Sequence, residues 1–171
     1  WLAGGSQGSS NTDGSTNTTY TSVNTTAGIS ISQWTPSGSA ETVGHGLGAV
    51  PKMIICKDTN DTYNWGVYHH KNTSAPETDI LELQATNATY DSNTYFNDTA
   101  PTSSVFTVNT SNDVNKDGDG LVAYVWTEIQ GYSKFGKYEG NGESNGTFAY
   151  TGFKPAWLMI KRSDSSTNGD W

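Results

Sequence analysis

At 171 residues and a net charge of −8, the chain is the size of one domain or one and a half small ones. Its acidity argues against nucleic acid or an anionic membrane as partner, since both want a basic face. Only 33% of the residues are hydrophobic and 15% charged, the rest being mostly Gly, Ser, Thr, Asn and Asp, which argues against a helical bundle and against disorder driven by charge repulsion. No apolar run approaches the roughly 20 residues of a membrane-spanning helix. The 12% aromatic content, with Trp 6 and Tyr 9, suits an all-β domain with many turns.

Residues 2–27, LAGGSQGSSNTDGSTNTTYTSVNTTA, form a polar, low-complexity run with the composition of a connector. Leu2, Tyr20 and Val23 are too few to bury a core. Threonine-rich chain nevertheless has β propensity, so part of 15–27 is expected to pair along a sheet edge or to lie in a groove of another copy. From residue 28 the pattern changes to short β-branched or aromatic segments bounded by Gly, Pro, Asn or Asp. ISISQW (29–34), KMIIC (52–56), NWGVYH (64–69), DILELQ (79–84), SVFTV (104–108) and LVAYVWTE (121–128) are predicted strands. KMIIC is apolar throughout, as for a central strand covered on both faces. No window has a helical period, and the pattern is that of an antiparallel β-sandwich. The single cysteine, Cys56, lies in this apolar run as a small buried hydrophobe, and no internal disulfide is possible.

The pattern then restarts. GISISQWTPSG (28–38) corresponds to GYSKFGKYEGNG (131–142), and GAVPKMIICK (48–57) to GFKPAWLMIK (152–161). Gly28, Trp34, Gly38, Gly48 and Pro51 match Gly131, Tyr138, Gly142, Gly152 and Pro155; Trp65 matches Trp171. Glycine frees the turn and proline sets φ where the chain enters the strand. The spacing predicts a sandwich repeat over 28–130 and the start of a following, truncated repeat over 131–171. Residues 1–27 are then the end of a preceding repeat, ending on Trp1, plus the connector. The turn and strand of 48–57 are expected again at 152–161, with Met53 and Trp157 equivalent.

VGHGLGAVPKMIICK, NDTAPTSSVFTV, GYSKFGKYEGNG and YTGFKPAWLMIKRSDS resemble a repeat family in large structural proteins of tailed phages, especially marine ones. The resemblance covers nearly everything after residue 28. It implies a concanavalin-like, jelly-roll sandwich in a virion or fibre protein, located in the virion or outside the cell, with no catalytic residues to carry over. The expected function is structural and adhesive. Its partners would be other copies or other virion proteins, and surface glycans.

Three constellations stand out from the turns and strands. DVNKDGDG (113–120) sets Asp113, Asn115, Asp117 and Asp119 at alternate positions around Gly118, like the start of a calcium loop, but position 124 is Tyr where the distal bidentate Glu would stand. Calcium held by those four residues is the one candidate cofactor; the alternative is a polar turn before the last strand. ETDILE (77–82) has the Glu-x-Asp-x-x-Glu spacing of jelly-roll β-glucanases, so that Glu77, Asp79 and Glu82, aimed by one bulge into a cleft, would make a retaining glycosidase. The alternative is a strand edge with solvated carboxylates, and no enzyme is expected. Trp34, Trp65, Trp126, Trp157, Tyr68 and Tyr138 are candidates for a sugar-stacking platform of a carbohydrate-binding module, or are core. His45, His69 and His70 are too scattered for zinc: His45 reads as a turn residue, and adjacent His69 and His70 would face opposite sides of a strand.

Overall fold

The structure is a computed structural model and describes residues 7–167. Nine strands and two single-turn helices follow in order: β1 (Tyr20–Asn24), β2 (Ile29–Trp34), β3 (Glu41–Gly44), β4 (Met53–Asp58), β5 (Gly66–His69), β6 (Asp79–Glu82), β7 (Tyr90–Asp91), α1 (Asn93–Phe96), β8 (Val105–Val108), α2 (Asn112–Asn115) and β9 (Leu121–Trp126). Seven strands form one antiparallel sheet in the order β1-β2-β9-β4-β5-β6-β7, while β3 and β8 pair antiparallel as a second sheet. The protein is an all-β antiparallel sandwich. The six segments predicted from period and composition each overlap one strand.

The centre of the large sheet follows from two-sided apolar chain. In β4, Ile54 and Cys56 enter the core between the layers, while Met53 and Ile55 join an apolar cluster on the outer face. In β9, Leu121, Ala123 and Val125 point inward, and Tyr124 and Trp126 line the outer face. The second layer is narrower than the first. Its two strands bring Val43, Phe106 and Val108, and the single-turn helices add Tyr95, Phe96 and Val114. Trp34 and Phe106 meet edge to face at the middle, centroids 5.9 Å apart. The helices escape a search for helical period because one turn contains no repeat. α2 is instead announced by its cap, the Ser111 hydroxyl accepting from Asp113 N–H.

The polar run before residue 28 belongs to this sandwich rather than standing apart from it. β1 covers the free edge of β2 over five residue pairs, Tyr20 opposite Gln33 through Asn24 opposite Ile29. Ser9 bridges to Thr21, and Thr16 bridges in parallel to Val43 of the second sheet, so the run also closes one side of the sandwich. The edge pairing expected for 15–27 is therefore made, but within its own chain, and the domain extends upstream of residue 28. Hydroxyls make this possible: Thr18, Thr21 and Ser32 are buried and hydrogen-bond in series, ending on the Gly44 carbonyl at 3.0 Å.

Residues 131–167 form no strand or helix. They run across the outer face of the large sheet as a strap. Phe135 and Met159 pack on the cluster of Met53, Ile55, Val67 and Leu81, and Lys161 Nζ donates to Ala85 O at 3.0 Å. The repeat expectation divides here. The turns recur: Gly28 and Gly131 have φ of 68° and 77°, Gly38 and Gly142 of 70° and 72°, Gly48 and Gly152 of 69° and 83°. The strand at 157–161 does not form. β4 has β5 and β9 as neighbours, whereas 157–161 lacks a flanking strand among the described residues, and backbone groups without a ladder give no strand. The expectations resting on Trp1 and Trp171 lie outside the described residues.

Candidate functional site

The calcium quartet does not converge. Asp113 and Asn115 lie on α2 and are committed inside the fold: Asp113 accepts from Asn64 N–H (2.7 Å) and from the Tyr95 hydroxyl, and Asn115 Nδ2 donates to Ser39 O (2.7 Å). Asp117 is exposed beside Gly38, and Asp119 faces Asp58 instead. A helical turn rotates alternate residues apart, which is why a spacing that suits a loop fails here. Among the described residues no three His, Cys, Asp or Glu side chains gather as a metal site.

The glucanase spacing is also taken apart by the fold. β6 is a regular strand with no bulge. Ile80 belongs to the inner core and Leu81 to the outer cluster, so Glu82 shares the inner face and Asp79 the outer. Glu82 is buried with both oxygens occupied: Oε1 accepts from Asn64 Nδ2 (2.9 Å) and Tyr90 OH (3.1 Å), Oε2 from Asn87 Nδ2 (2.7 Å). Asp79 accepts from Thr73. Glu77 lies in the turn before the strand and adds to burial in raising the Tyr68 phenol to about 12.

Sequence reading missed what these residues do build. Glu82 and Asp113 anchor the two ends of a polar network through Tyr90 and Tyr95, whose hydroxyls are 3.3 Å apart, with Asn64 bridging both carboxylates. Tyr95 gives its one proton to Asp113, so the Tyr90 proton serves Glu82 or Tyr95. Burial first, then the bond to Asp113, raises the Tyr95 phenol, which keeps that proton in place. Such an arrangement fixes the α1–α2 layer against the sheet.

The aromatics divide by position. Trp34 and Tyr68 are core, Trp65 and Trp126 are half-buried on the outer face, and Tyr138 and Trp157 are exposed. His45 is fully buried just past β3, its Nδ1 accepting from Leu47 N–H at 3.2 Å, as a turn residue should. His69 ends β5 and His70 lies beyond it, so their rings do not oppose across the strand but sit 5.5 Å apart.

His70 opens onto a groove of about 660 Å³ between the end of the large sheet and the strap. Lys52, Lys71, Lys134, Glu128 and Tyr150 share its walls. Lys134 is paired with Glu128 at 2.9 Å, while among the described residues no carboxylate forms an ion pair with Lys52 or Lys71. The His70 imidazole is held below its ordinary value by burial, against the pull of its 3.1 Å contact with Phe135 O, and both lysines depress it further. A neutral ring then donates from Nε2 to that carbonyl. Three of the nine basic residues of an acidic chain therefore line one groove.

Fold and surface define an antiparallel β-sandwich with a strap across one sheet, with no helix among the described residues long and apolar enough to cross a membrane. The chain belongs to a domain family of unknown function, DUF7483, whose profile matches residues 1–171. No curated protein and no solved structure matches it.

Proposed function

We propose that the chain is a structural and adhesive segment of a repetitive virion or fibre protein, and that residues 131–161 are its assembly surface. One observation carries the reading. Those residues copy 28–57 in sequence and keep the three left-handed glycines, and although Phe135 and Met159 pack on the sheet, most of the apolar surface of the 157–160 segment faces outward. Met53, Ile54 and Cys56 are 7%, 1% and 0% exposed, while their counterparts Trp157, Leu158 and Ile160 are 63%, 68% and 45% exposed. A sequence patterned for a central strand and left without flanking strands among the described residues is suited to meet strands from another copy of the same unit. The resemblance to phage structural repeats supports the same reading.

Sedimentation of the purified chain over a wide concentration range is the test. Self-association is expected, with Phe148→Ser/Trp157→Ser/Leu158→Ser shifting it toward monomer at unchanged melting temperature, since all three side chains are exposed. A chain that stays monomeric at the highest concentration sinks the proposal. The groove favours a second reading within the first, contact with acidic surface glycans, because Lys52 and Lys71 stand beside the exposed ring of Tyr150. Binding to a carboxylated or sulfated polysaccharide that is lost in Lys52→Ala/Lys71→Ala supports it; equal binding by the variant removes it.

A further inference from the structure

The last residue of β4 lies beside the first of β9, Asp58 opposite Leu121. The turns beyond them are stitched together. Thr59 donates to Gly120 O from both its N–H and its hydroxyl, each at 2.8 Å, and Gly120 N–H donates to Asn60 Oδ1 at 2.8 Å. The stitching brings the Asp119 carboxyl within hydrogen-bond reach of the Asp58 carboxyl. Asp58 is 1% exposed. Its Oδ1 accepts from the N–H groups of Asn60 (2.7 Å) and Asp61 (2.9 Å). Its Oδ2 is buried and receives no hydrogen bond.

A buried carboxylate oxygen without a donor, on a side chain beside a second carboxylate, is unfavourable unless something positive stands between them. A proton shared with Asp119 is the alternative, and it would give the fold no dependence on calcium. A cation serves both oxygens at once. Two oxygens about 2.4 Å from one calcium ion and about 75° apart are about 2.9 Å from each other, the separation of a hydrogen-bonded pair. We propose that Asp58 and Asp119 hold a calcium ion at this end of the sandwich, locking the 58–61 turn to the 117–120 turn. Only hard oxygen ligands are present, and calcium accepts an irregular shell completed by water, whereas magnesium demands an octahedral one. Two carboxylates place the dissociation constant near the weak range of roughly 10⁻⁴ to 10⁻³ M typical of extracellular modules.

The test is thermal melting of the whole chain with CaCl₂, MgCl₂ or NaCl at matched ionic strength. With a dissociation constant of about 1 mM, about 10 mM calcium multiplies the folding equilibrium constant roughly elevenfold and raises the melting temperature by about 3 to 5 °C. Asp119→Asn should abolish the rise and Asp117→Asn should keep it. Terbium luminescence, displaced by calcium and absent in Asp119→Asn, reads the same site without melting. No calcium-dependent rise, an equal rise with NaCl, or a rise that survives Asp119→Asn overturns the proposal.

Discussion

Replacing Tyr95 by Phe removes one oxygen from the interior and leaves the ring packing against Phe96 in place. Asp113 then keeps Asn64 N–H on Oδ1 but loses the donor to Oδ2, and at 8% exposure water cannot fully replace it. A hydrogen bond to a charged group contributes about 1.5 to 3 kcal/mol, so a loss of about 2 kcal/mol is expected, with little added for the cavity of one hydroxyl. That is about a thirtyfold fall in the folding equilibrium constant, at 1.36 kcal/mol per decade. In urea denaturation followed by tryptophan fluorescence the midpoint should drop by about 1 M with the slope unchanged. Because Tyr95 and Asp113 share the bond, Tyr95→Phe and Asp113→Asn should be non-additive by about 1 kcal/mol or more in a double-mutant cycle. A cost below about 0.5 kcal/mol, or additive effects, would refute the account of this network.

Two further outcomes follow from single residues. Burial, then His70 and Lys71, hold the His69 imidazole at about 4, below its ordinary 6.5. The unfolded chain takes up that proton from about pH 6.5 downward and the folded chain only near 4, so this stability is complete above 6.5 and is lost as pH falls toward 4. The loss is about 3 kcal/mol at most, less the screening at the ring's wetted edge; if His69→Gln leaves the stability–pH curve between 4 and 6.5 unchanged, the ring is not its source. Gly28 and Gly48 have nearly the same φ, 68° and 69°, but a Cβ at Gly28 would lie 2.9 Å from Thr127 O while at Gly48 it meets nothing within 4 Å. Alanine should cost about 1 kcal/mol at Gly48, the left-handed strain alone, and clearly more at Gly28; equal costs in chemical denaturation would show that the contact at Gly28 yields freely.

The sandwich and its central strands were legible in the order of residues, because alternation and two-sided apolar runs report directly which faces are buried. Met53, Ile54, Ile55 and Cys56 have one physical solution, a strand covered above and below. The three glycine turns at 28, 38 and 48 were legible for the same reason, since a left-handed φ selects glycine almost alone, and so was their recurrence at 131, 142 and 152. Whatever depended on which distant groups meet was settled only by the folded chain. Spacing suggested that Asp113 and Asp119 share a loop. A helical turn sends the first to Tyr95 and a β-turn sends the second to Asp58, sixty-one positions away in the chain. Spacing suggested that Glu82 and Asp79 line a cleft, and a regular pleat puts them on opposite faces. The Thr- and Ser-rich run before Gly28 looked like a connector because hydroxyls carry no hydrophobic signal. Thr18, Thr21 and Ser32 are nevertheless buried, because each hydroxyl finds another across a strand pairing that no local pattern encodes. For 157–161 local pattern and structure part in the opposite sense: the residues are written for a strand, but a strand exists only when neighbouring chains complete its ladder.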